Sequence, residues 1–286
     1  MDPFAGRPRR WLDGLPQPPR CLVMGVLNVT PDSFSDGGRY ADVAAAVDHG
    51  VALREQGADL VDVGGESTRP GAPRVAEDEE HARVLPVVRA LVGSSVPVSV
   101  DTMRASTAAA AVAAGAVLVN DVSGGLADPA MHHEVAQLGV PYVLMHWRGH
   151  SATMQQRTAY DEVVTDVATE LTRQRDAAVS AGIDPGRIAL DPGIGFAKNA
   201  AQNWTVLAAL DRLHELGHPL LVATSRKRFL GELLARGDDL RPPRERDDAT
   251  LATTALAAAR GAWCVRVHTV GASADAVRVA ARWGAG

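Results

Sequence analysis

Eight times along this chain a short apolar run breaks off at polar residues, and a loop and a stretch of helical period follow. The runs are 21–28, 60–63, 96–100, 117–119, 141–145, 188–190, 220–223 and 263–267. Runs this short and this continuously apolar are strands buried on both faces. The stretches between them, 40–56, 75–92, 103–114, 129–138, 160–181, 203–216, 249–260 and 272–283, supply helices to cover those faces. Eight such units without a compositional break predict one α/β domain, a closed (β/α)8 TIM barrel. An open doubly wound sheet would want a Gly-rich phosphate turn after its first strand, and Asn28-Val-Thr-Pro stands there instead. The chain divides on this reading into an N-terminal extension, 1–20, and a barrel domain, 21–286.

The connections carry their own signals. Pro, Gly, Asp and Ser crowd the segments after the first and second strands, which predicts mobile loops there, and residues 149–159 read the same way. The run 236–248 reads as a solvated connection between a short helix and helix 249–260. Asp101 or Thr102 is placed to cap helix 103–114.

Composition removes whole classes of function. The formal charge of −5 does not suggest a nucleic-acid-binding surface. No apolar run approaches the roughly 20 residues needed to cross a bilayer, and residues 1–20 lack the apolar centre of a secretory signal. Cys21 and Cys264 both lie in strand runs and read as small buried hydrophobes, which fits a reducing cytoplasmic setting.

A barrel gathers its chemistry at the C-terminal ends of its strands. Here those ends offer Asn28, Asp62, Asp101, Asn120, Asp121, His146, Asp191, Ser225, Lys227, Arg266 and His268. Singly, Asp101 and Asp191 read equally well as caps or loop anchors, and Asn120 as a turn residue. Together, Asp101, Asn120, Asp191 and Lys227 can read a ring presenting several N–H groups and a carbonyl. Met145 and Phe196 offer apolar faces to such a ring, though core packing explains each alone. Arg69, Arg266 and His268 form a cationic set suited to phosphate. Asn28, with Asp32 and Asp36 in the first loop, offers oxygens to Mg²⁺. No His/Cys spacing of a zinc site and no nucleophile elbow is present.

These residues lie in stretches with a specific likeness. Met24-Gly-Val-Leu-Asn-Val-Thr-Pro-Asp-Ser-Phe-Ser-Asp-Gly-Gly38 and Asp62-Val-Gly-Gly-Glu-Ser-Thr-Arg-Pro-Gly71 resemble the two signature segments of the dihydropteroate synthases. Ser99-Val-Asp-Thr102, Asn120-Asp-Val-Ser-Gly124, Asp191-Pro-Gly-Ile-Gly-Phe196, Ser225-Arg-Lys227 and Arg266-Val-His268 follow in that family's order. The resemblance spans roughly residues 21–283.

It implies condensation of 6-hydroxymethyl-7,8-dihydropterin diphosphate with 4-aminobenzoate, giving dihydropteroate and pyrophosphate. It further implies that Asp101, Asn120, Met145, Asp191, Phe196 and Lys227 hold the pterin. Asn28, Arg69, Arg266 and His268 would bind the diphosphate, with Asn28 as ligand to Mg²⁺. Phe34, Asp36, Thr68, Pro70, Ser225 and Arg228 would surround the aminobenzoate. Asp101, Lys227, Arg266 and His268 are the expected catalytic groups, in an SN1-like displacement that needs no strong base. A homodimer and inhibition by sulfonamides are implied as well.

Two positions depart from the family pattern. Arg228 stands where many members have Ser, and Thr269 where many have Asp, so no carboxylate directly follows His268 to orient it. Two other readings share the ring-binding residues: a non-catalytic pterin-binding paralogue, and a methyltransferase using a methylated folate. Neither would need both loops together with the Mg²⁺–diphosphate set.

Overall fold

The computed structural model describes residues 11–30, 38–67, 71–72 and 74–285, with side chains of the first helix described from residue 43 onward. Strands and helices alternate: β1 (Leu22–Asn28), α1 (Gly38–Glu55), β2 (Leu60–Gly64), α2 (Glu77–Gly93), β3 (Val98–Asp101), α3 (Ala105–Ala113), β4 (Leu118–Asp121) and α4 (Met131–Leu138). The second half continues with β5 (Tyr142–Met145), α5 (Val163–Ser180), β6 (Ile188–Asp191), α6 (Ala200–Ala208), α7 (Leu210–His214) and β7 (Leu221–Val222). It ends with α8 (Arg228–Leu233), α9 (Asp247–Ala259), β8 (Cys264–Val267) and α10 (Val270–Trp283). All strand pairs are parallel, in the order β6-β5-β4-β3-β2-β1-β8-β7. A parallel bridge between Leu190 and Leu220 spans the remaining seam. The sheet is therefore a nearly closed barrel, as the eightfold pattern predicts.

Successive strand residues face opposite sides of the sheet, and this alternation splits the core in two. Val61 and Val63 of β2, Val98 and Val100 of β3, and Val265 and Val267 of β8 face outward, where they pack with buried helix residues such as Val84, Val88 and Val277. Leu22, Met24, Leu60, Leu118, Val143, Ala189, Leu221 and Cys264 face inward and fill the barrel. Leu12 and Leu15, from the stretch assigned to an extension, complete that inner cluster. Both cysteines are buried and unpaired with each other.

Three local expectations change. At the start of helix α3, Asp101 plays no capping part, Thr102 Oγ1 accepts from the N–H of the N-cap residue Arg104 at 3.1 Å, and Ala105 N–H donates to Asp128 Oδ2 at 2.8 Å. Asp101 is engaged across the barrel instead, and Thr102 donates to Glu80 at 2.7 Å. The helix expected over 203–216 begins earlier, because Asn199 and Gln202 form a reciprocal capping box, and it breaks at Ala209. The run 236–248 is not wholly solvated: Arg246 is buried and donates to the carbonyls of Arg241 and Arg226 at 2.6 and 2.8 Å.

Candidate active site

Followed toward the strand ends, the inward rows turn from apolar to polar. Cys264, Arg266 and His268 share one side of β8 and its continuation, as Leu60 and Asp62 do on β2 and Ala189 and Asp191 on β6. Register sets Asp101 beside Gly64 and Asn120, and Met145 beside Asp191. The barrel mouth thus receives Asp62, Asp101, Asn120, Met145, Asp191 and Arg266. Asp121 and His146 lie one residue out of phase and face outward, so they leave the strand-end set. Asp121 accepts from Ser123, Gly125 and Tyr142, and His146 bonds Glu170 on α5 at 2.9 Å.

Arg266 is the hub. Its Nε donates to Asp62 Oδ2 at 2.6 Å and its Nη2 to Asp101 Oδ2 at 2.7 Å. Asn120 Nδ2 donates to the same Asp62 oxygen at 2.9 Å. Arg266, expected with Arg69 and His268 as part of an anion clamp, is tied in this structure to two carboxylates of the ring-recognition set. A buried guanidinium needs such partners, and they push its pKa up despite burial. Burial pushes the Asp101 carboxyl up to about 7 against the pull of Arg266, with Asp62 and Glu80 adding to the rise. Asp62 Oδ1 and Ser99 Oγ are buried without a hydrogen-bond partner among the described residues.

Asp191 and Lys227 stand on the opposite wall. Asp191 Oδ1 accepts from Gly193 N–H at 2.7 Å, and burial raises its pKa. Lys227 Nζ donates to the carbonyl of Ile194 and lies 4.8 Å from the Phe196 ring centroid. Burial lowers its pKa to about 8, opposed by Asp191. Met145 packs with Met103 and Val122 in a small separate cluster, with Phe196 and Trp147 against it. That apolar shelf is larger than the Met145 and Phe196 legible in the sequence.

At the third side, Ser225 Oγ accepts from the His268 backbone N–H at 3.1 Å and meets His268 Nδ1 at 2.9 Å. The hydroxyl can accept both bonds, or accept one and donate the other, so it holds the imidazole in place in either tautomer. No carboxylate follows His268, but one arrives from α9. Asp247 takes two bonds from Arg226, at 2.7 and 2.8 Å, and one from Thr269 Oγ1 at 2.9 Å. Arg226 holds the left-handed φ of 59° that turns Ser225-Arg-Lys227, and its N–H donates to Thr250 at 3.1 Å. Arg228 is exposed and pairs with Glu232 at 2.7 Å.

Phe34, Asp36, Thr68, Arg69 and Pro70 lie outside the described residues, as does Asp32. The neck of the second loop is described, and Glu66 holds both its sides. It accepts from Arg74 Nε at 3.1 Å, Val75 N–H at 3.3 Å and Arg104 Nη1 at 3.1 Å. Asn28 sits half-buried at the end of β1 beside Gly64. Among the described residues no three His, Cys, Asp or Glu side chains converge as a metal cluster. One amide oxygen fits an ion such as Mg²⁺ that draws its other ligands from a bound phosphate and water.

The model of the family described as pterin binding enzyme matches residues 24–268. The dihydropteroate synthase of Mycobacterium leprae is 54% identical over 263 residues, which cover 91% of this chain and 93% of that protein. The chain belongs to the dihydropteroate synthase family. Solved structures agree in fold. The Xanthomonas albilineans dihydropteroate synthase in complex with 7,8-dihydropteroate is 47% identical, with a TM-score of 0.81 and 93% of each chain covered. The Yersinia pestis enzyme in a sulfonamide drug complex is 40% identical, with a TM-score of 0.89 over 96% of this chain and 99% of that one. This enzyme is accordingly a transferase of folate biosynthesis.

Proposed function

We propose that the enzyme joins 6-hydroxymethyl-7,8-dihydropterin diphosphate to 4-aminobenzoate by an SN1-like displacement, releasing pyrophosphate and 7,8-dihydropteroate. The arrangement that carries the reading is the pair of carboxylates, Asp62 and Asp101, held by Arg266 opposite Asp191 and Lys227 above an apolar shelf. Asn120, Asp191 and Lys227 orient the pterin, with Met145 and Phe196 against its faces. The bond from the exocyclic carbon to oxygen breaks, and its electron pair leaves with the diphosphate. Asp101 faces the positive charge left on the pterin. A preorganised carboxylate in a poorly solvated mouth lowers the energy of that cation. The neutral arylamine then forms the C–N bond with its lone pair, and the acidic anilinium nitrogen that results gives its proton to water, so no strong base is required.

Arg69, Arg266 and His268 receive the diphosphate. Mg²⁺, held by Asn28 and the diphosphate oxygens, would supply further neutralisation of the leaving group when bound. Phe34, Asp36, Thr68, Pro70, Ser225 and Arg228 border the aminobenzoate. Sulfonamides resemble the aminobenzoate, and the Y. pestis relative binds one; we expect competitive inhibition here.

The test is pyrophosphate release by purified protein with pterin diphosphate and Mg²⁺, with and without 4-aminobenzoate. Stoichiometric dihydropteroate formed only with aminobenzoate supports the reading. Tight pterin binding with neither product would instead indicate a binding protein. Among the described residues no helix is long and apolar enough to cross a membrane, and the same reading places the enzyme in the cytoplasm.

A further inference from the structure

The Asp191–Lys198 loop carries much of the pterin wall, yet its backbone is unfavourable on its own. Gly193, Gly195 and Ala197 all have left-handed φ, at 66°, 80° and 48°, and for Ala197 that conformation is costly. Something must hold the loop in place. Lys198 is only 3% exposed and bonds the loop on the side of His146, which faces outward from the strand. Its Nζ donates to the carbonyls of Gly193 at 3.1 Å and Phe196 at 3.3 Å, and to His146 Nδ1 at 3.0 Å. Burial lowers the Lys198 pKa to about 7, with Asp191 opposing the shift, and in the ammonium form these three acceptors use all three protons. His146, fully buried, must then be neutral and carry its proton on Nε2, which donates to Glu170 Oε2 at 2.9 Å. Glu170 is held ionised by Arg148, whose guanidinium also lies 3.7 Å from the Tyr160 ring centroid. Tyr160 closes the cage by donating its hydroxyl proton to Ala197 O at 3.0 Å.

We propose that Lys198 is a positioning residue for the pterin, and that the chain Lys198–His146–Glu170–Arg148 fixes it from the outer wall of the barrel. By drawing two loop carbonyls together, the ammonium sets the curve that puts Phe196 on the shelf. The same curve turns Ile194 O toward Lys227 and Gly193 N–H toward Asp191. The charged groups around Nζ are Asp191, Lys227, Arg148 and Glu170, with His146 in contact. Its positive charge also favours the ionised form of Asp191. The inference rests on the pterin-site assignment above.

The test compares Lys198→Met and Glu170→Gln with the unaltered enzyme, measuring thermal midpoint, both KM values, kcat, and binding of pteroic acid. Lys198→Met is expected to raise the KM for pterin diphosphate roughly tenfold or more, with the KM for aminobenzoate within about twofold. Lys198→Arg, which keeps the charge, should recover part of the loss. Glu170→Gln, remote from the ring, should shift the same parameter in the same direction by a smaller factor. A folded Lys198→Met protein with unchanged pterin KM and pteroic acid affinity overturns the proposal. Should Lys198→Met fail to fold, unchanged pterin kinetics in Glu170→Gln overturn it equally. Asp191→Asn serves as the reference: if it does not weaken pteroic acid binding, the pterin-site assignment falls and takes this inference with it. If Asp191→Asn weakens binding and the Lys198 and Glu170 variants do not, only the positioning role is lost.

Discussion

At the scale of single residues, the mouth is a set of buried charges whose proposed roles carry a pH dependence. Burial raises Asp101 to about 7, so its ionised form is lost as pH falls through that value. Lys227 is lowered to about 8, so its ammonium is lost as pH rises past it. If both charged forms are needed, kcat/KM for the pterin diphosphate should follow a narrow bell with limbs near about 7 and about 8. Asp101→Asn should cost roughly 100-fold in kcat and remove the acid limb, which a pH–rate series would show. Undiminished turnover would refute the role given to Asp101. Asp247 poses a related question. Its carboxylate reaches the turn around Ser225 and His268 only through Arg226 and Thr269. Asp247→Asn should therefore raise the KM for pterin diphosphate several-fold, and Thr269→Asp in that background should recover part of it. Loss without recovery would mean that Asp247 serves the fold alone. The Thr269 departure was legible in the sequence, but its partner, 22 residues upstream, was not. Nothing in local spacing links a strand end to the start of another helix.

At the scale of elements, strand parity is the signal that sorts the strand-end residues. Counting by two from the apolar inward residues separates Asp101, Asn120 and Asp191 from Asp121 and His146 without any structure. The alternation was hidden because both faces of each strand are apolar, so the runs look uniform. Arg266 was legible as a charged residue inside a strand. Its partners were not, since Asp62 and Asp101 lie on distant strands and pairing across a barrel interior leaves no trace in spacing. Loop backbone makes a sharper prediction. A Cβ at Gly193 would fall on the carbonyl of His146, and the residue's φ is 66°. Gly193→Ala should destabilise the fold by about 1–3 kcal/mol and weaken pterin binding together, measured by denaturation and by titration with pteroic acid. Gly237→Ala is the control. It has a similar φ of 62° but no atom within 4 Å of its Cβ, so it should carry the backbone cost with pterin binding unchanged.

At the scale of the whole molecule, the barrel was legible because the unit repeats eight times, and each repeat constrains the others. What covers its outside was less so, because an exposed apolar residue on a helix looks like a buried one in sequence. Leu256 on α9 and Val279 and Trp283 on α10 are 63%, 62% and 86% exposed, on helices packed against each other. Exposed apolar side chains of this size on two neighbouring helices favour a covering partner. A second copy of the chain is the occupant we propose, in line with the expected homodimer. A stable dimer buries about 800 Å² per subunit. Trp283→Glu, on the last turn of α10, places a charge in that contact far from the barrel mouth. Sedimentation equilibrium at micromolar concentration should then show monomer where the unaltered enzyme shows dimer. An unaltered enzyme that sediments as a monomer would exclude this dimer, and a Trp283→Glu protein that remains dimeric would move the contact to another face.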